Sequence, residues 1–404
     1  MRERGSTPIS PARIGAFTFG IQIVWGAILA VSLQARSIDL AGTSAVATYS
    51  AIAAVGAACA TVVQVLAGIA ADRRRARVGH RREFYAWGIA FAVPALVWFY
   101  LAPNVGQLML AFFALEIALN VATGPYQAAI PDHVPATRNG EASSWMSAWQ
   151  SLGNAVGLLV AGFVHDLRAV AVALAAGLLG AFGVTYAHVR ALPSLSALPG
   201  RFRLDRTFTM LLISRGIVNV GFFTLLGYLL FFVRDSLGIP GAAGQTQTAL
   251  LFLTFTLAAV GGAALAARPA DRFDKRLVAT VANVAIALAL GALAPARSLA
   301  VAYPAAALAG LAWGAFFTAD WALACALLPR GAMATAMGVW NVATAGPQIV
   351  APLLAGPLVI ALDTRVLGSG PRGAIVLALV EFLIGTALLW TLPRSVTFAN
   401  QRAA

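Results

Sequence analysis

The sequence predicts an all-α integral membrane protein: twelve transmembrane helices in two pseudo-symmetric six-helix bundles. Three observations predict it. Of 404 residues, 60% are hydrophobic and only 11% are Asp, Glu, Lys or Arg, with a mean hydropathy of +0.82. The apolar residues fill about twelve runs of ~20, the length that crosses a bilayer as a helix. One long polar stretch, residues 190–206 (RALPSLSALPGRFRLDR), separates those runs into two sets of six. A soluble domain carries about a quarter charged residues, so a soluble enzyme, a nucleic-acid module and a disordered scaffold are all excluded.

The runs are bounded by charge or by Pro and Gly. The basic leader MRERGSTPISPAR precedes a span at 13–35, read as a retained helix and not a signal peptide because no small-residue cleavage site and soluble domain follow it. The remaining spans are expected at 43–71, 84–103, 106–130, 143–164, 169–189, 207–233, 245–267, 277–295, 299–328, 334–361 and 372–392. Several exceed the minimum length, which permits tilt. The division gives an N-terminal bundle at 1–189, a linker at 190–206 and a C-terminal bundle at 207–404. A gapless internal match supports it, with 135–162 aligning onto 329–356 and six identities including Pro135/Pro329, Val156/Val350 and Gly162/Gly356. Two such halves around a midplane site suit a rocking transporter.

The net charge of +13 is explained by topology. With both termini cytoplasmic, 21 basic residues fall on the cytoplasmic side and 6 on the other, leaving Arg215 inside a span. That bias sets the expected orientation and removes the case for a nucleic-acid partner. Cys59 and Cys325 lie far apart in apolar context and read as small core residues. The four histidines have no metal-ligand spacing. GGAALAA (261–267) lacks the lysine and strand context of a phosphate loop, and its small residues suit close helix approach. No cofactor or metal is expected.

The loop after the second span reads GIAADRRRARVGHRREF, residues 68–84. It resembles the loop signature of the major facilitator superfamily at Gly68, Asp72, Arg73, Gly79, Arg81 and Arg82, with a second copy, PADRFDKR, placing Asp271 and Arg272 in the other half. The resemblance implies the major facilitator fold and a cytoplasmic gate in which loop carboxylates meet helix N-termini and arginines bridge acids. These arginines also serve as positive-inside anchors. The five residues between Arg73 and Gly79 resemble the glycoside/pentoside/hexuronide:cation and sucrose:proton symporters. So do Gly20, Gln22 and Trp25 on the first span and Glu116, Asn120, Gly124, Pro125 and Asp132 around the fourth. That branch implies a sugar or glycoside moved with a proton. Gln127 stands where sucrose carriers carry an arginine, and residues 45–71 contain no acid, which argues against sucrose and against sodium.

Four ionisable residues lie within spans: Glu116, Arg215, Asp320 and Glu381. Each costs ~2.5–3.5 kcal/mol at a helix centre on insertion scales, which makes function the default reading. Glu116 is the candidate proton carrier, since burial favours its neutral form until water reaches it. Asp320 is assigned with it to coupling. Arg215 and Asp320 sit eight residues from their cytoplasmic helix ends, ~12 Å deep, and form a candidate pair. Glu381 is on the twelfth span, which the resemblance to the major facilitator superfamily implies lies outside the cavity. Gln22, Trp25, Asn120, Tyr126, Gln127, Arg215, Asn219 and Trp313 are the candidate substrate contacts, as stacking platforms and hydrogen-bonding groups; each aromatic is also an ordinary packing residue.

The sequence thus points to a proton-coupled secondary transporter of a sugar or glycoside in the bacterial inner membrane. Its expected partners are the solute, the proton and the bilayer, and it is expected to act as a monomer. Two alternatives remain. The aromatic-rich spans also suit a proton-driven exporter of amphipathic compounds, and the same fold can serve a non-transporting assembly factor.

Overall fold

The computed structural model describes residues 10–78, 81–126, 139–189, 205–327, 333–366 and 368–392. Among them the chain is helical, with no strand. The helices are α1 (Pro11–Ala27), α2 (Leu33–Ala41), α3 (Ala45–Val78), α4 (Arg82–Leu101), α5 (Val105–Tyr126), α6 (Asn139–Phe163), α7 (Leu167–His188), α8 (Arg206–Phe231), α9 (Gly241–Arg272), α10 (Lys275–Leu293), α11 (Leu299–Leu327), α12 (Met333–Asp363) and α13 (Ser369–Leu389). The first span is α1 and α2 joined by a five-residue π turn, Ile28–Ser32; a second π turn, Phe232–Ser236, follows α8. Each widens the helix by one residue at the corresponding end of the first and seventh spans. Gly42, at φ +53°, makes the break before α3 in a region closed to most L-residues.

Three boundaries differ from expectation. The first span continues to Ala41, so Arg36, expected in a loop, is helical and only 6% exposed. The second continues to Val78, and the eighth to Arg272. Gly68, Asp72, Arg73, Asp271 and Arg272 therefore stand on terminal helical turns, not in loops. Arginine is a good helix former, and nothing before Gly79 breaks the helix. Acids mark the following starts: Asp166, Asp205 and Asp274 cap α7, α8 and α10, each accepting from a backbone N–H of the first turn at 2.7–2.9 Å.

The chain forms two compact units, Met1–Ile28 with Ala58–Ser196, and Leu29–Ala57 with Ala197–Ala404. The first contains α1, the later part of α3, and α4–α7. The second contains α8–α13 and also residues 29–57, which the sequence division places in the N-terminal bundle. Hydrogen bonds account for that placement. Gln34, fully buried, donates to Leu29 O at 2.8 Å and weakly to Leu226 O and Gly227 O, while the Ser50 and Tyr228 hydroxyls meet at 2.7 Å. Buried polar groups go where their partners are.

Both units use glycine to bring helices together. In the first, Gly153 and Gly157 of α6 face the α1 backbone, a Cβ at Gly153 lying 2.7 Å from Phe19 O. In the second, Gly262 of α9 meets Leu311, while Gly310 and Gly314 of α11 meet Phe255 and Ala259. Both α6 and α11 thus carry a small-xxx-small step, the device that lets membrane helices touch at the backbone. Gly314→Leu is expected to cost at least ~1–3 kcal/mol through overpacking, read as a lower melting temperature in detergent.

Outward faces are apolar. Val62, Trp87, Phe91, Val172, Leu257, Leu265 and Leu288 are all more than half exposed. A helix apolar on its outer as well as its inner face is solvated by lipid. Polar groups are instead turned inward, where each has to find a partner.

Candidate functional site

In the first unit the central group is Glu116, on the middle turns of α5 and 6% exposed. Asn120, one turn on, donates from Nδ2 to Glu116 Oε2 at 3.0 Å and to the Glu116 backbone O at 2.9 Å. The i,i+4 spacing puts both side chains on one face. Among the described residues no cation pairs with Glu116. Its carboxyl therefore has one neutral amide as its side-chain hydrogen-bond partner among the described residues.

The other first-unit candidates separate into two groups. Tyr126 is engaged: its hydroxyl donates to Ile14 O at 2.9 Å and lies 3.0 Å from Thr18 Oγ1, and its ring meets Phe17 edge-on. It ties α5 to α1. Gln22 and Trp25 are half-buried on α1, with the Gln22 Cβ against α6 at Gly153. Gln127 and Gly79 lie outside the described residues, as do the side chains of Asp72 and Asp271. Of the motif arginines, Arg73 is exposed, Arg81 is buried at the α4 N-cap, and Arg82 stacks 4.3 Å above Tyr186 while donating to its backbone O. Gly68 is half-buried with open space around its Cα, and Arg272 is exposed. An acid–arginine bridge is present at a pair the motif did not mark: Arg74 grips Glu83 through two bonds of 2.9 Å.

In the second unit Arg215 of α8 donates from Nη1 to Asp320 Oδ2 of α11, with both residues at least 94% buried. Their equal depth on the two helices brings them level. The guanidinium lies 4.2 Å over the Trp340 ring and its Nη2 reaches Thr344 Oγ1 at 3.3 Å. Trp340 and Thr344 are one turn apart on α12, an i,i+4 face that spacing alone could have marked. Asn219, one turn beyond Arg215, donates to Arg215 O at 3.0 Å and to Ala343 O at 3.2 Å. Pro347 has no N–H to offer Ala343 O, so Asn219 supplies the missing donor. Trp313 stacks on Phe222 with centroids 4.5 Å apart and rings 14° from parallel, bordered by Phe255 and Phe316.

The described residues hold no His/Cys/Asp/Glu group able to bind a metal. The groups present are a buried carboxyl with an amide partner, a cation paired with one acid, and aromatic faces.

The Major Facilitator Superfamily profile matches residues 14–352. Among curated proteins none matches this sequence. Among solved structures, a bacterial homologue of the human lysosomal transporter Spinster, inward-facing and occupied, is 17% identical with a TM-score of 0.78, covering 99% of this chain and 100% of that one. The nucleoside transporter NupG is 12% identical with a TM-score of 0.69, covering 95% of this chain and 98% of that one.

Proposed function

The chain belongs to the Major Facilitator Superfamily, and from that premise we propose that this multi-pass membrane transporter carries a sugar or glycoside by alternating access, coupled to a proton at Glu116. The observation that carries the reading is the buried Glu116 carboxyl with Asn120 as its side-chain partner. A carboxyl in that setting trades a proton whenever the surrounding helices admit or exclude water. Asp320 holds Arg215, and exchange of that partner for the solute would let binding alter the packing of α8 against α11. Trp313 offers the stacking face and Asn219 orients the Arg215 turn.

Both termini are assigned to the cytoplasm of a bacterial inner membrane, from the 21-to-6 division of basic residues, and the working unit is a monomer. The helical ends bearing Gly68, Arg73, Arg81, Arg82 and Arg272 are assigned to the cytoplasmic gate. Nucleosides, the cargo named for NupG, are themselves glycosides, so they belong among the compounds to test.

Counterflow into proteoliposomes provides the test. Preloaded sugars, O-glycosides and nucleosides are exchanged against their labelled forms, with cationic dyes as a separate arm. Exchange of at least one carbohydrate, and none of the dyes, is expected. Dye extrusion without any carbohydrate exchange would transfer the assignment to an exporter.

A further inference from the structure

Glu381 lies on α13, near the middle of its buried stripe (Ala374, Ala378, Phe382 and Gly385), and is 5% exposed. Both of its carboxyl oxygens are buried without a hydrogen-bond partner. Thr224 of α8, fully buried, is a neighbour of Glu381, and its hydroxyl likewise makes no conventional hydrogen bond. Two orphaned polar groups side by side in an apolar seam require an explanation. A charged carboxylate there would lie in an apolar seam with no cation paired to it among the described residues. A neutral carboxyl has an O–H to give, and Thr224 Oγ1 is the acceptor within reach.

We propose that Glu381 and Thr224 form a second proton-binding site, in the seam between α8 and α13. In the neutral state the Glu381 hydroxyl donates to Thr224 Oγ1. When the seam admits water, the proton passes to a water molecule as hydronium, and the Thr224 hydroxyl turns to donate to the carboxylate. The reverse step takes the proton from hydronium and releases water.

Packing limits the ligand to a proton. The helices meet at glycine on both sides of the pair: a Cβ at Gly221 would lie 3.1 Å from Ala378 O, and one at Gly385 would lie 3.0 Å from Ser214 O. Ser214 further clasps Gly385 O at 2.7 Å. A hard metal ion would need about six oxygen ligands; beside the Glu381 carboxyl this seam offers the Thr224 hydroxyl and a Ser214 hydroxyl already bonded to Gly385 O, too few for such an ion.

No other charge competes for the site among the described residues. On α8, Arg215 is roughly two and a half turns away and paired with Asp320. On α10, Asn283 is neutral and the basic start is occupied at Arg276 by Asp274 and Leu392 O. On α12, Asp363 accepts from Gly370 N at the far end of α13, and in the π turn Arg234 pairs with Asp235. Arg372, on α13 itself, donates to Ala294 O and Ser236 O. The site is independent of the role given to Glu116.

Infrared difference spectra of the full chain in lipid nanodiscs, titrated between about pH 5 and pH 9, read the carboxyl directly. Expected is a protonated-carboxyl C=O band that Glu381→Gln removes, Glu116→Gln leaves, and Thr224→Val shifts by taking away its hydrogen-bond acceptor, with reversible loss as pH rises. Should Glu381→Gln fail to fold, the Thr224→Val shift carries the same information. Absence of a band sensitive to either substitution would mean an ionised Glu381 and overturn the proposal. A band present but unchanged across the titration would also overturn it, marking a permanent structural acid. Transport failure in the counterflow assay would leave both spectroscopic results standing.

Discussion

Glu116→Gln is expected to abolish accumulation driven by a pH gradient while leaving counterflow within about twofold of the native protein. The amide copies the shape of the neutral acid and keeps a partner for Asn120, so the fold and the solute path survive. What it removes is the exchangeable proton. Coupling between two ligands is a free energy shared by both, typically 1–3 kcal/mol, or roughly 5–150-fold in affinity. Solute affinity of the native protein should therefore strengthen by a factor in that range as pH falls and Glu116 becomes protonated. In the variant, affinity should be flat with pH and fixed near the native low-pH value, because the glutamine is locked in the proton-loaded form. Uphill uptake that persists unchanged in Glu116→Gln would remove Glu116 from the coupling path.

The architecture of membrane-length helices is legible because bilayer thickness dictates helix length, which leaves a plain mark in composition. The level placement of Arg215 and Asp320 was legible for a related reason: on regular helices, counting residues from a membrane face measures depth. Other features were hidden because they depend on contacts between distant segments. Nothing local to residues 29–57 announces that Gln34 and Ser50 find their partners on α8. Tyr126 reads as a candidate contact because it is an aromatic on a span expected to line the cavity; that Ile14 O and Thr18 hold its hydroxyl depends on the packing of α5 against α1. The basic run conceals the helical extension to Val78, because charge ends only the apolar part of the helix and not the helix itself. Glu381 was set apart as a twelfth-span acid; its lack of a conventional partner becomes visible only once α8 is packed beside it.

Asp320→Ala is expected to destabilise the protein by about 3–5 kcal/mol, the penalty for leaving a buried cation without its anion. In the native protein Arg215 is 6% exposed and stacked on Trp340, so loss of Asp320 would leave it Thr344 as its side-chain acceptor. A guanidinium cannot shed its charge as a lysine can, so the cost falls on the fold and is measured as a lower melting temperature and loss of the monodisperse species in detergent. Arg215→Ala should cost less, because a buried carboxylate escapes by taking a proton. Replacing both, Arg215→Met with Asp320→Leu, removes the two charges together and should recover most of the lost melting temperature, as hydrophobic replacement of a buried pair commonly does. The same double variant separates structure from transport. Under the assignment of Arg215 to the solute, it should fold and still fail in counterflow. A double variant that folds and exchanges solute at the native rate would reduce the pair to a brace between α8 and α11, leaving Asn219 and the stacked Trp313–Phe222 face as the second-unit candidates for holding the solute.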